Sequence, residues 1–186
     1  MYELPDGKPA TKVHEQRERS WRTYDVCFPG GGQRFLVREA PNGRTQVIHV
    51  YDTVSGEELW HCGSAADSRW YYMRTDPGGQ FFIYYTGPDS ELAHVVELSD
   101  FREVCRPEGL CQAIGPTGAP LVSGRWLVPE FDHLDRRICL EFDGHENWQA
   151  SSFSPSGKLL AWGTTEGVVV VADIREVMHR VASLGR

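Results

Sequence analysis

His61 beside Cys62 has the residue types of a thiolate–imidazole pair, and His133, Cys139 and His145 recur at even spacing with Asp132 and Asp135 close by, as metal ligands can. Gly30-Gly31-Gly32 has the composition of a phosphate-cradling loop, and Ser151, Ser152 and Ser154 supply hydroxyls for acyl chemistry. Each pattern lacks the rest of its machinery. Neighbours on a strand point to opposite faces, which separates His61 from Cys62. No Gly-Lys-Ser/Thr follows the glycines and no Gly-x-Ser-x-Gly elbow surrounds the serines. His133 reads as loop and Cys139 as strand, so the metal set does not converge. Acid pairs such as Glu57-Glu58 read as solvated turns. The expectation is therefore no catalytic residue, no metal and no cofactor. What remains is a set of polar residues ahead of a recurring turn, Asp25, Arg69, Gln112 and Gln149, which with Trp70 and Tyr72 form the candidate surface for a partner or ligand.

The recurring turn organises the chain. Pro-x-Gly appears as Pro29-Gly30-Gly31, Pro77-Gly78-Gly79, Pro116-Thr117-Gly118 and Pro155-Ser156-Gly157, a period of about 40 residues. Proline at the second position of a tight turn presets φ, and a glycine after it takes the positive φ that closes the turn. Apolar runs flank every copy: Thr23–Phe28 before and Phe35–Val37 after the first, Ser68–Met73 and Phe81–Tyr85 around the second, Gly109–Ile114 and Leu121-Val122 around the third, Trp148–Phe153 and Leu159–Trp162 around the fourth. Their β-branched and aromatic content predicts short buried strands. A third strand ending near an acid follows each, at Val47–Asp52, Ala93–Glu97, Val128–Asp132 and Val168–Asp173. A fourth follows in three units, at Glu58–His61, Arg102–Cys105 and Arg137–Phe142. Four short strands per unit predict an all-β propeller of four four-stranded blades, at approximately 22–62, 67–106, 108–143 and 147–173, in a single domain spanning 1–186. Ile174, Val177, Met178, Val181 and Leu184 then fall at helical spacing, predicting a short C-terminal α-helix over 174–184.

The stretch 138–174 resembles a WD repeat. Gly144-His145 stands at the family's Gly-His, Phe153-Ser154-Pro155-Ser156-Gly157 at its Phe-Ser-Pro-Asp-Gly turn, and Ala172-Asp173 at its Trp-Asp. The chain is thus identified as a WD-repeat β-propeller with degenerate blades, similar to bacterial WD-repeat proteins. The resemblance assigns structural roles to His145, Asp173, Asp52, Asp132, Pro155 and Gly157, with Thr164 or Thr165 and Glu166 near the serine and aspartate positions of the family's hydrogen-bonded set.

The last unit has three strands before its helix, and an open edge presents unpaired N–H and C=O groups. Residues 10–15 are the candidate strand to complete it. Closure is open between three arrangements: a lone four-bladed ring, a pair of copies making eight blades, or part of a longer chain or complex. A formal net charge of −7 argues against nucleic acid as a partner. No segment approaches the ~20 apolar residues of a membrane helix and the N-terminus lacks a signal-peptide core, which predicts a cytoplasmic protein with no membrane partner. Five scattered cysteines without a C-x-x-C pair read as buried thiols. The functional expectation is a non-catalytic module that binds a protein or peptide, as a homo-oligomer or in a larger complex. Analogy places such a module in a bacterial signalling or defence assembly. The alternative is an enzyme or small-ligand propeller using polar residues at a central channel.

Overall fold

The computed structural model describes residues 22–40, 46–63, 73–86, 92–107, 111–117, 119–140, 148–164 and 167–184. They build four antiparallel sheets, each a simple meander in which every strand pairs with the next. Sheet 1 holds β1 (Arg22–Cys27), β2 (Arg34–Ala40), β3 (Val47–Asp52) and β4 (Glu58–Gly63); sheet 2 holds β5 (Arg74–Thr75), β6 (Phe81–Thr86), β7 (Leu92–Glu97) and β8 (Glu103–Cys105). Sheet 3 holds β9 (Cys111–Ile114), β10 (Leu121–Ser123), β11 (Trp126–Val128) and β12 (Ile138–Cys139), and sheet 4 holds β13 (Trp148–Phe153), β14 (Leu159–Thr164) and β15 (Val169–Asp173). Helix α1 (Ile174–Ser183) follows directly, capped at its N-terminus by Asp173, whose carboxylate accepts from the Arg175 and Glu176 amides. Sheet 4 has three strands among the described residues, and residues 10–15 lie outside them.

Successive side chains of a strand face opposite ways, so each middle sheet can pack on both neighbours. On β6, Phe82 and Tyr84 join Leu36, Ile48 and Val50 of sheet 1, while Phe81, Ile83 and Tyr85 join Cys111, Ile114 and Leu121 of sheet 3. The adjacent aromatic residues of this segment are thereby divided between two cores. Val122 and Leu127 on the opposite face of sheet 3 meet Leu160 and Trp162 of sheet 4, and Ile174, Val177 and Met178 of α1 pack into the same cluster. The Tyr85 hydroxyl also donates to the Cys111 carbonyl, tying sheet 2 to sheet 3 by a polar contact within an apolar seam.

The Pro-x-Gly turns meet one another. In sheets 2 and 4 proline takes the second turn position, with the Gly79 amide donating to the Asp76 carbonyl and the Gly157 amide to the Ser154 carbonyl. In sheet 1 the register is shifted by one, the Gly32 amide donating to the Pro29 carbonyl. A Cβ at Gly78 would lie 2.4 Å from the Pro116 carbonyl oxygen, and one at Gly79 2.3 Å from that of Gly30. Glycine is therefore demanded by contact between consecutive sheets as well as by turn geometry.

The third strand of sheet 3 differs from the expectation. It ends at Val128, which pairs with Leu121 as Tyr51 pairs with Phe35, Val96 with Phe82 and Ala172 with Leu160. The position held by Asp52, Glu97 and Asp173 in the other sheets is therefore Pro129. Proline has no N–H for the ladder, so the strand stops there, and Phe131–His133 forms a 3-10 turn containing Asp132. Asp132 is not the counterpart of the other strand-end acids.

Candidate functional site

The four inner strands converge on a cavity of about 500 Å³, lined where β1, β5, β9 and β13 approach their hairpin turns. Its walls carry Cys27 and Phe28, Arg74 to Asp76, Gln112 and Ser151. Gln112 and Ser151 are 9% and 7% exposed, and the Gln112 Oε1 and Ser151 Oγ atoms have no hydrogen-bond partner among the described residues. Two buried, unsatisfied polar atoms on neighbouring inner strands are unusual, because each costs about 1–3 kcal/mol until something pairs with it. Gln112 is placed there by a bulge: Ala113 pairs with Val122 and Cys111 with Ser123, leaving Gln112 as the extra residue.

Asp76 forms the floor of the second turn. Its Oδ1 accepts from the Gln80 and Phe81 amides at 2.7 Å each, and Oδ2 accepts from the Gly78 amide at 2.8 Å. Burial nevertheless raises its carboxyl above the usual carboxylate range, against the pull of those three bonds. The Cys27 thiol lies 3.5 Å from the Thr75 hydroxyl and is likewise pushed up by burial. A thiol that burial holds protonated is a weak nucleophile, whereas polar side chains in a walled cavity suit binding.

The sequence candidates scatter on this frame. Asp25 lies on β1, opposite Arg38, and Gln112 lines the cavity. Gln149 is the bulged residue of β13, between the pairs Trp148–Thr164 and Ala150–Gly163. Arg69, Trp70, Tyr72 and His145 lie outside the described residues. Registers set these positions apart: Gln112 sits one residue before the partner of Val122, whereas Asp25 sits two before the partner of Leu36. Of the family-type residues, Asp52 closes the turn after β3, accepting from the Val54 and Ser55 amides and the Ser55 hydroxyl, which lower its carboxyl. Pro155 and Gly157 form the turn between β13 and β14, where the Ser154 hydroxyl accepts from the Leu159 amide.

Sequence reasoning misses Asp76 and a network in sheet 2. His94 bonds Glu103 through Nδ1 at 2.6 Å and Thr86 through Nε2 at 2.7 Å, Tyr84 stacks on its ring at 4.6 Å, and Arg106 donates to the other Glu103 oxygen. Burial pushes Glu103 up, but the bonds from His94 and Arg106 bring it below the usual value. An acid at the first position of a Pro-x-Gly turn is the available signal for Asp76. The network has none, since its members come from three strands. Elsewhere, burial pushes the Cys62 and Cys105 thiols up to about 12, and none of the five cysteines forms a disulfide. No helix among the described residues is long and apolar enough to cross a membrane.

No protein-family model matches the chain. Among curated proteins it is similar to echinoderm microtubule-associated protein-like 2 of Rattus norvegicus, 34% identical over 80 residues, and to its Homo sapiens counterpart, 32% identical over 80 residues. Each match covers 43% of this chain and 11% of the relative. Among solved structures it is similar to the β-propeller domain of Cps50 (Swd1) of Myceliophteria thermophila, with a TM-score of 0.55 at 12% identity over 83% of this chain and 55% of that one. Four meander sheets with Pro-x-Gly turns in contact between consecutive sheets, and a β-propeller domain as structural neighbour, agree: the chain has the fold of a β-propeller.

Proposed function

We propose that the chain is a non-catalytic recognition module that holds a protein or peptide in the cytoplasm, acting as a homo-oligomer or within a larger complex such as a bacterial signalling or defence assembly. The observation that carries this reading is the pair of unsatisfied buried atoms, Gln112 Oε1 and Ser151 Oγ, in one cavity on neighbouring inner strands. A peptide's amides and polar side chains would supply the missing partners, while the surrounding turns supply the contact area. The test is an array of linear peptides probed with the purified chain, with retained peptides titrated in solution. Gln112→Leu should weaken a retained peptide about tenfold, the equivalent of one lost hydrogen bond. Unchanged affinity in Gln112→Leu and Ser151→Ala would sink the assignment of the site. Polymerised tubulin belongs among the probes, because the relatives are named for microtubule association.

A second reading is favoured by the cavity's size. About 500 Å³ lies within the ~300–1,000 Å³ typical of small-molecule sites. If a metabolite raises the melting temperature, Gln112→Leu abolishes that rise and no peptide binds, the occupant is a small ligand.

A further inference from the structure

The blade interfaces repeat position by position, and the series has two loose ends. On the face each sheet turns toward its successor, the pair Leu36–Val50 of sheet 1 corresponds to Ile83–Val95 of sheet 2, Val122–Leu127 of sheet 3 and Ala161–Val171 of sheet 4. Two residues along, Ile48 corresponds to Ala93 and Val169. In the first three sheets these side chains are fully buried, at 0% exposure for Leu36, Ile48, Val50, Ile83, Ala93, Val95, Val122 and Leu127. In sheet 4, Val169 is 71%, Val171 59% and the adjacent Leu159 44% exposed. Valines at interface positions therefore stand open to solvent.

The opposite end is its complement. Phe28 follows Cys27, the partner of Leu36, just as Phe153 follows Ser152, the partner of Ala161, and Ile114 follows Ala113, the partner of Val122. Phe153 and Ile114 are 4% and 2% exposed in the seams with the preceding sheets, whereas Phe28 is 66% exposed and its neighbour Val26 49%. Sheet 1 also repeats, on the face that would meet a preceding blade, the His–Glu arrangement that sheet 2 buries against sheet 1: His49 with Glu58 at 3.3 Å, matching His94 with Glu103. Among the described residues, core clusters join sheets 1 to 2, 2 to 3 and 3 to 4, and none joins 4 to 1.

We propose that two copies of this chain close one ring head to tail, the open face of sheet 4 in each packing on the Phe28 face of sheet 1 in the other. This rests on the oligomeric part of the reading above and names its surfaces. The longest stretch outside the described residues, 1–21, is shorter than any of the four sheets. The aligned part of this chain corresponds to 55% of the length of a β-propeller chain, so a ring of that length needs about as much chain again. A second copy carries both complementary faces, and twofold symmetry makes both junctions at once. Closure would also complete the inner-strand cavity, which one copy walls only along its own arc.

The test is the solution mass of the full chain by light scattering and sedimentation at about 1–100 μM, the range in which standard-sized interfaces assemble. The expected species is a dimer of the 21.0 kDa chain. Val169→Lys/Val171→Lys and, separately, Phe28→Glu should each weaken dimerisation roughly a hundredfold, because a junction would bury an unpaired charge. Mixing the two variants restores one intact junction and should recover dimer. These sites are exposed, so circular dichroism melting should stay near the wild-type value, and Leu159→Lys provides an independent variant if one of them misfolds. A monomeric wild type overturns the proposal, as does a dimer that Phe28→Glu leaves intact, which would pack sheet 4 on sheet 4. A monomer whose peptide binding still depends on Gln112 refutes the ring and leaves the recognition reading standing, and a dimer that binds no peptide does the reverse.

Discussion

Gly31→Ala and Gly78→Ala separate the two reasons a propeller turn needs glycine. Gly31 has φ +88° and nothing within 4 Å of the place a Cβ would take, so alanine there meets only backbone strain. Left-handed conformations cost an L-residue about 1–2 kcal/mol, partly offset by the lower unfolded-state entropy of alanine, leaving ~1 kcal/mol. Gly78 has no positive φ, but its Cβ would stand 2.4 Å from the Pro116 carbonyl oxygen and 2.9 Å from Asp76 Oδ2. Two consecutive sheets would have to separate, and overpacking of backbone on backbone belongs at the upper end of the 1–3 kcal/mol range, about 3 kcal/mol. For a chain of this size each kcal/mol moves the melting temperature by roughly 2–4 °C, so the expected drops are about 2–4 °C for Gly31→Ala and about 6–12 °C for Gly78→Ala. Thermal and urea unfolding followed by far-ultraviolet circular dichroism measure both. If Gly31→Ala proves the more damaging, the stacking of turns between sheets is not what fixes glycine at Gly78, and the argument fails.

Asp76→Ala leaves three amides without an acceptor and should cost about 3 kcal/mol in urea unfolding; a loss below ~1 kcal/mol would mean that water replaces the carboxylate freely. The two perturbed acids should show opposite pH dependence. Glu103 is held below its ordinary value, so its contribution is present above the unfolded value of about 4.3 and fades as pH falls through the folded one. Asp76 is held above its ordinary value, so its contribution is greatest below about 3.9 and declines as pH rises through the folded value. Stability differences for Glu103→Gln and Asp76→Asn, measured from pH 3 to pH 7, should therefore slope in opposite senses, and parallel slopes would refute the assignments. At pH 8 the Cys62 and Cys105 thiols should react with a disulfide reagent only as fast as the fold opens, since burial holds both near 12. Asp173→Ala should cost about 1 kcal/mol through loss of the α1 cap, read as reduced helicity near the melting transition.

The parts of the fold legible in the sequence are those where a local rule and the packing agree. A turn signal about every 40 residues places the hairpins, and alternation within Phe81–Tyr85 points to a strand buried on both faces, because both signals are local. The third strand of sheet 3 is misplaced by the repeat pattern where a local rule overrides it: Pro129 cannot extend a ladder, so Phe131-Asp132 mimics a strand end without being one. The site is less legible. Asp25, Gln112 and Gln149 group together in the sequence on position ahead of the turns alone, and bulges break that equivalence.

What no single-strand pattern conveys is which face is left without a neighbour. Val169, Val171 and the buried Val50 and Val95 look alike in sequence, each an aliphatic residue on a third strand two or four residues before an acid. Only the register, which pairs Val171 with Ala161 as Val50 pairs with Leu36, shows that they occupy equivalent positions. Burial then differs because of sheet order and not residue type: sheets 1 to 3 have a successor, and sheet 4 has none among the described residues. A valine at 71% exposure leaves apolar area in water, and moving such area out of water is worth about 25 cal/mol per Å². The correspondence of the exposed valines of sheet 4 with buried positions of the other sheets is thus written in the repeat, and becomes visible only when the repeats are laid over one another in space.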